Sequence, residues 1–336
     1  MEDTTGLVSS GAAPAGAEGD ELARRWPSLA DQLAVATALY GPRGPELVGL
    51  WVGEQLGLVG DLDFGGPFAE FIGLPGVPAI DYSHRVAGGR RGELLGGIRF
   101  FGGDRTRPFV DVLAHSFDDE RALADCVAAE WAGFAPPFMR LRVLPQHAAG
   151  ESRVLDQSVH VGRCRQMSAP DGPVGLSRFS DADEAVALVA ERYAALSADQ
   201  PDLAANISAA EPDDLRYWHE QGALWAIRVD AQTVGALAVA PGEVEWITGP
   251  VVQEEVIAPP WAGRGYAAAA QSAWAAMGAR RDPDALLIGT IDRRNTASRL
   301  SAERAGRPAV LSTVFVALRH RGAKAPTPAT DPDAPM

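Results

Sequence analysis

The chain is poor in lysine, cysteine and net positive charge. Its 30 basic residues are arginines apart from Lys324, and there are 2 cysteines, Cys126 and Cys164. No Cys-x-x-Cys pair and no His/Cys cluster occurs, which argues against a structural or catalytic zinc site. Cys126 falls in an apolar helical stretch and reads as core. Cys164, between Arg163 and Arg165, reads as an inert loop thiol. The formal net charge of −14 disfavours a nucleic-acid partner, because phosphate contacts need a basic surface. An acidic field instead favours a cationic acceptor such as a small amine. No apolar run approaches the ~20 residues of a membrane span. The start carries Glu2 and Asp3 and lacks the apolar stretch of a secretion signal, so the expected location is cytoplasmic.

What is present is enough for two hydrophobic cores. The chain has 336 residues, 46% of them hydrophobic, and that length suggests two domains. The expected division is a disordered tail over 1–20, a first domain over 21–146, a linker over 147–173, a second domain over 174–320 and a disordered tail over 321–336. Val154–Val161, inside the linker, has the pattern of a further strand.

The most informative stretch is Val251–Ala270. An apolar strand pattern runs into Pro259-Pro260, then Gly263-Arg264-Gly265, then an Ala-rich helix. Glycine amides at a helix N-terminus bind phosphates, since N–H donors and the positive end of the helix dipole converge there. A dinucleotide loop of the G-x-G-x-x-G/A type, an acyl-CoA pyrophosphate loop and a bare strand-to-helix turn all fit this segment. The dinucleotide alternative loses ground downstream. Its ribose-binding acid should lie ~20 residues past the glycines, and Asp292 lies further on.

Element order sharpens the choice. Val174–Phe179 reads as a strand, and Ser180-Asp181-Ala182-Asp183 as an N-cap opening a helix to about Ala198. Glu211–Gln221 reads as a second helix. Ala223–Val229, Thr233–Ala240 and Glu245–Ile257 read as strands. The loop helix over Tyr266–Arg280, a buried strand over Ala285–Ile291, a helix over Thr296–Ala305 and a strand over Val310–Leu318 complete the half.

The segment Ala262-Gly263-Arg264-Gly265-Tyr266-Ala267, the run Asn295 to Gly306 and this order together resemble the GCN5-related N-acetyltransferases. The resemblance covers about Val174–Leu318. It implies an α/β fold with a mixed sheet, acetyl-CoA or another acyl-CoA as cosubstrate with no metal, and acyl transfer to a small-molecule amine in a ternary complex. The implied acyl-CoA contacts are Val256, Ile257, Ala262, Gly263, Arg264, Gly265, Tyr266, Ala267, Asn295 and Ser298. The chain departs from the family pattern twice. Ala262 stands where Arg or Gln is usual, and Ala302 where a Tyr general acid often stands, so a non-catalytic acyl-CoA-binding protein and a structural partner in a biosynthetic pathway are the alternatives.

The central strand supplies the candidate bases. Glu254 and Glu255 are adjacent and therefore point to opposite sheet faces; Glu243 and Glu245 are weaker candidates. Tyr217, Trp218 and His219, on the second helix, are candidate acceptor contacts because the resemblance places that helix beside the acceptor cleft. In the first half, Glu21–Leu39 reads as helical, Gly92–Phe101 and Pro108–Ala114 as strands, Asp118–Phe134 as a helix and Phe138–Leu144 as a strand. This order suggests a degenerate second acetyltransferase-like unit, hence a tandem fold. His115-Ser116-Phe117 there replaces the glycine turn, so this half is expected not to bind CoA in the usual way.

Overall fold

In the first half, Asp61 and Asp119 each cap a helix by accepting a backbone N–H two residues on, and Gly or Pro stands at most other helix ends. The computed structural model describes residues 21–318, apart from 151, 170 and 171; the tails expected over 1–20 and 321–336 lie outside the described residues. The first half holds α1 (Ala30–Tyr40), α2 (Gly44–Gly57), α3 (Leu62–Ile72), β1 (His84–Gly89), β2 (Gly92–Phe100), β3 (Pro108–His115), α4 (Glu120–Glu130), β4 (Phe138–Val143) and β5 (Arg153–Arg163). The second half holds β6 (Val174–Arg178), α5 (Ala182–Asp199), α6 (Pro212–Glu220), β7 (Leu224–Val229), β8 (Gln232–Val244), β9 (Ile247–Ile257), α7 (Tyr266–Gly278), β10 (Leu286–Asp292), α8 (Thr296–Arg304) and β11 (Ala309–Ala317). A single turn of helix, Pro201–Ala204, follows α5.

Among the described residues the strands form one eleven-stranded mixed sheet in the order β1-β2-β3-β4-β11-β5-β10-β9-β8-β7-β6. The halves are interleaved. β11, the last strand, lies between β4 and β5, with Phe315 opposite Arg140 on one side and Val154 on the other. β5 in turn pairs with β10, Thr290 opposite Val159. The 147–173 segment is therefore not a simple linker. It carries β5 at the centre of the sheet, with Val159 and Val161 buried.

Helices cover both faces. On one, Leu123 and Val127 of α4 pack with Val112 and Val314, and Ala268 and Ala275 of α7 pack with Leu237 and Leu287. On the other, Trp26, Val48 and Trp51 pack with Leu113 and Ile288, and Phe179, Ala185 and Leu215 with Ala236 and Val256. Neighbours such as Val112 and Leu113, or Leu287 and Ile288, fall on opposite faces, as strand alternation requires. Two local expectations change. Pro27 breaks the first helix with a tight turn over Pro27–Leu29. Glu245 sits in the β8–β9 hairpin turn at φ 57°, not in a strand.

Each half contains a parallel pair that splays. β3 and β4 pair only from Phe109–Phe138 to Asp111–Arg140, and β9 with β10 only at Val251–Ile288. Arg142 crosses the first splay, beside a cavity of about 250 Å³ lined by residues 112–115 of β3 and 141–143 of β4. Arg142 donates to the Val112 carbonyl (3.1 Å), to both Asp111 oxygens (2.9 and 3.3 Å) and to Glu245 (2.6 Å). The Ser28 hydroxyl accepts the His115 amide at 2.7 Å. Beyond this splay the chain reaches α4 with no glycine turn, and Asp119 caps that helix itself.

Candidate functional site

At the second splay the chain behaves differently. After Ile257 a tight turn over Pro259–Trp261 leads to Gly263 and Gly265, which stand at φ 76° and 79°. A side chain in this left-handed region costs about 1–2 kcal/mol. A Cβ at either glycine would meet no atom within 4 Å, so both face open space. Gly265 is the N-cap of α7 and, unlike Asp119 on α4, contributes no side-chain cap. The first-turn N–H groups of α7 are left for a ligand, at the positive end of its dipole. Arg264 reaches back to the Pro260 carbonyl at 3.2 Å and lies over the Trp261 ring.

This loop is one wall of a cleft of about 450 Å³. A second wall comes from the end of α5 and the turn after it, through Tyr193, Leu196, Leu203 and Ile207. The start of α8 supplies the third, where Asn295 accepts the Ser298 amide at 3.1 Å. Arg192, Arg264, Arg294 and Arg304 line the cleft against a single acid, Glu255. Local charge therefore opposes the acidic balance of the chain. The cleft brings together Glu255, Val256, Ile257, Ala262, Gly263, Arg264, Gly265, Tyr266, Ala267, Asn295 and Ser298.

The paired glutamates separate as strand alternation predicts. Glu255 lines the cleft, but its carboxylate turns under α7, where Oε2 accepts from Gln271 at 2.8 Å and Oε1 is buried with no protein partner. Arg307 shares this interior, and burial pushes its guanidinium down to about 10 although Glu255 counteracts. Glu254 lies on the opposite face, 6% exposed. It accepts from the Ala210 amide (3.0 Å), the Glu255 amide (3.0 Å) and the Tyr193 hydroxyl (3.4 Å). Burial raises its carboxyl above the usual range despite these bonds. Burial, and then the neighbouring Glu254, raise the Tyr193 hydroxyl, which keeps it protonated.

Tyr193 escaped sequence reading: on a helix its periodicity marks it as semi-buried and says nothing of a cleft. Tyr217, Trp218 and His219, the candidate acceptor contacts, lie elsewhere. None of them lines the cleft. Tyr217 is 58% exposed, Trp218 packs on the core beneath α6, and His219 holds the Phe179 carbonyl at 3.0 Å. Trp218 serves packing, and His219 ties α6 to the end of β6. Glu243 is exposed, and Glu245 binds Arg142 across the sheet, so neither belongs to the cleft. Ala302 is fully buried, whereas Ser301 and Tyr266 line the cleft. Among the described residues no His/Cys/Asp/Glu group has the arrangement of a metal site.

No family model matches the chain, and no curated protein does. Solved structures do. A GNAT-family acetyltransferase from Colwellia psychrerythraea is 10% identical, over 67% of this chain and 81% of that one, at a TM-score of 0.41. A GCN5-related N-acetyltransferase from Sphaerobacter thermophilus is 13% identical, over 78% and 92%, at 0.41. A tandem GNAT protein from the clavulanic acid biosynthesis pathway is 12% identical, over 76% and 95%, at 0.38. The chain is thus similar to two acetyltransferases and to a tandem GNAT protein.

Proposed function

We propose that the chain is an N-acetyltransferase that binds acetyl-CoA, or a related acyl-CoA, in this cleft and transfers the acyl group directly to a small-molecule amine. The observation that carries the reading is the uncapped α7 N-terminus behind two left-handed glycines, in a cleft lined by four arginines and one acid within a chain of net charge −14. A polyanionic ligand with a pyrophosphate suits that field and those donors. The pantetheine arm would then run along the exposed edge of β9 at Val256 and Ile257, in the splay. In the first half Asp119 caps the helix beyond the splay and no glycine turn precedes it, which favours a single donor site, in the second half.

The chemistry follows from Tyr193 and Glu254. A neutral amine attacks the thioester carbonyl; a C–N bond forms and the C–S bond breaks. The amine nitrogen gives up its proton to Glu254 through solvent, while Tyr193, in the cleft wall, protonates the leaving thiolate. Tyr193 then recovers a proton from Glu254 through the hydrogen bond they share, and the products are an amide and free CoA thiol. Glu254 does not reach the cleft wall, so its role is that of a relay and positioning group. Glu255, turned under α7, serves the fold of the loop helix.

A second reading, an acyl-CoA-binding protein without turnover, draws on Ala302, which puts a buried methyl where the resembled family often has its acid. Thiol release from acetyl-CoA over a panel of amines separates the two. Turnover that falls at least ~100-fold in Tyr193→Phe, with acetyl-CoA affinity kept, supports the transferase. Binding without turnover on any amine supports the second reading.

A further inference from the structure

Past Arg294 the cleft adjoins a second cavity of about 400 Å³, and Arg294 lines both. Its guanidinium is anchored on the Asp202 carbonyl at 3.2 Å, so it forms the wall between them. The cavity floor is aromatic. Phe315 lies at its centre, with the rings of Phe109, Phe138 and Phe101 at 5.2, 5.8 and 6.3 Å. The strand interleaving builds this floor: Phe315 comes from β11, Phe109 and Phe138 from the two first-half strands on that side of the sheet. Phe138 remains 39% exposed and Val154, also in the lining, 48%. Large apolar groups left open on one concave surface mark a binding site.

The rim is cationic. Arg107 lies 4.2 Å over the Phe101 ring and donates to Asn206 at 3.3 Å, and Arg293 and Arg294 are exposed beside it. The carboxylates in the wall are largely committed. Asp156 is buried and takes Arg140 (3.4 Å) and the Thr313 hydroxyl (3.2 Å); Asp292 takes the Arg294 amide at 2.8 Å on one oxygen. A polyamine would therefore meet like charge at the entrance, whatever the sign of the whole chain. A carboxylate would meet guanidinium forks that match it in geometry. Asp292 ends β10 and lines this cavity next to Arg293 and Arg294, with one oxygen taken by the Arg294 amide.

We propose that this cavity is the acceptor subsite and that it takes a primary amine bearing both an aryl group and a carboxylate, the chemistry of an aromatic amino acid. The aryl group lies on Phe315 and Phe138, the carboxylate on Arg107 and its neighbours, and the ammonium beside Asp292, facing the thioester. The proposal rests on the transferase reading for its role but not for the binding itself.

The test is calorimetric titration of the full chain with phenylalanine, phenethylamine, alanine and spermidine, and separately with acetyl-CoA. Phenylalanine is expected to bind at least tenfold tighter than each of the other three amines. Arg107→Ala is expected to erase its advantage over phenethylamine, and Phe138→Ala its advantage over alanine, both without changing acetyl-CoA affinity. Both residues are accessible at the surface, and thermal unfolding checks that the variants fold. Spermidine binding as tightly as phenylalanine, or discrimination unchanged by both variants, overturns the proposal. If acetyl-CoA binds and phenylalanine does not, the acceptor proposal fails and the transferase reading stands. If phenylalanine binds as described and acetyl-CoA does not, the transferase reading fails and the subsite stands.

Discussion

Asp111→Asn tests whether the charge cluster at the first splay holds that part of the sheet together and whether donor binding belongs to the second half alone. Asp111 is 6% exposed and accepts four N–H groups: Arg140 Nε and Nη2 at 3.2 and 2.7 Å, and Arg142 Nη1 and Nη2 at 2.9 and 3.3 Å. Burial pushes its carboxyl up, but the two guanidinium groups outweigh burial and hold it well below the usual range. The amide removes the charge and turns an NH2 group against one guanidinium, leaving two largely buried cations to share Asp156 and Glu245. Removing one partner of such a cluster costs about 3–5 kcal/mol. At about 2–4 °C per kcal/mol for domains of this size class, the midpoint should fall by roughly 10 °C. Urea and thermal unfolding read the loss. Acetyl-CoA affinity, measured where the variant is still folded, should stay within about twofold, because Asp111 lies outside the cleft. A loss below about 1 kcal/mol would refute the view that this cluster holds the strands of the first splay together. A collapse of acetyl-CoA affinity in folded protein would refute the assignment of donor binding to the second half alone. Since the folded pKa is depressed, the Asp111 contribution is present above the unfolded value of about 3.9 and is lost as pH falls below it.

Further outcomes are expected. His84 is 1% exposed; its Nδ1 faces the Gln55 carbonyl at 3.2 Å and its Nε2 faces Arg99. Burial and then Arg99 lower its pKa from 6.5 to about 4. The unfolded chain therefore binds the extra proton in that window, and stability should fall by up to about 3 kcal/mol as pH drops from 6.5 to 4. Urea unfolding across that range checks this, and His84→Gln should flatten the slope. Ala302→Tyr should not restore a general acid. With no exposure at Ala302, the ring overpacks the core, costing about 1–3 kcal/mol or more, and thermal unfolding alongside the thiol assay reads both effects. If Glu254 relays the proton, turnover against pH should show an acid limb above the ordinary Glu value, since burial raises its carboxyl. The limb should disappear in Glu254→Gln, and an unchanged limb would remove Glu254 from the chemistry.

The parts of the molecule that were legible in the sequence are those set by local chemistry. Gly263 and Gly265 are needed for their left-handed backbone, the Ala-rich run after them is a helix for its own reasons, and Glu254 and Glu255 part because strands alternate. The order β7-β8-β9-α7-β10-α8-β11 is also local, since each turn or cap lies beside the run it ends. The interleaving of β5 and β11 was not legible. Whether Phe315 pairs beside Arg140 or elsewhere depends on contacts between segments more than a hundred residues apart, and both positions accept an apolar strand. For the same reason Val154–Val161 was visible as a strand but not as the centre of the sheet. Helix periodicity shows which residues are covered and not by what, so it places neither Tyr193 in the cleft wall nor Trp218 against the core beneath α6. The aromatic floor around Phe315 joins three strands from both halves, and no sequence spacing announces it.

The central claim is that acyl-CoA binds at the glycine turn before α7. The direct measurement is thermal unfolding with and without acetyl-CoA, for the wild type and for Gly265→Trp. At 100 times Kd, binding adds about 2.7 kcal/mol. A Trp at Gly265 would project into the space where no atom lies within 4 Å and block the phosphates. The account predicts a stabilising shift of several degrees in the wild type and none in the variant. No shift in the wild type at millimolar acetyl-CoA, or an equal shift in both proteins, would contradict it.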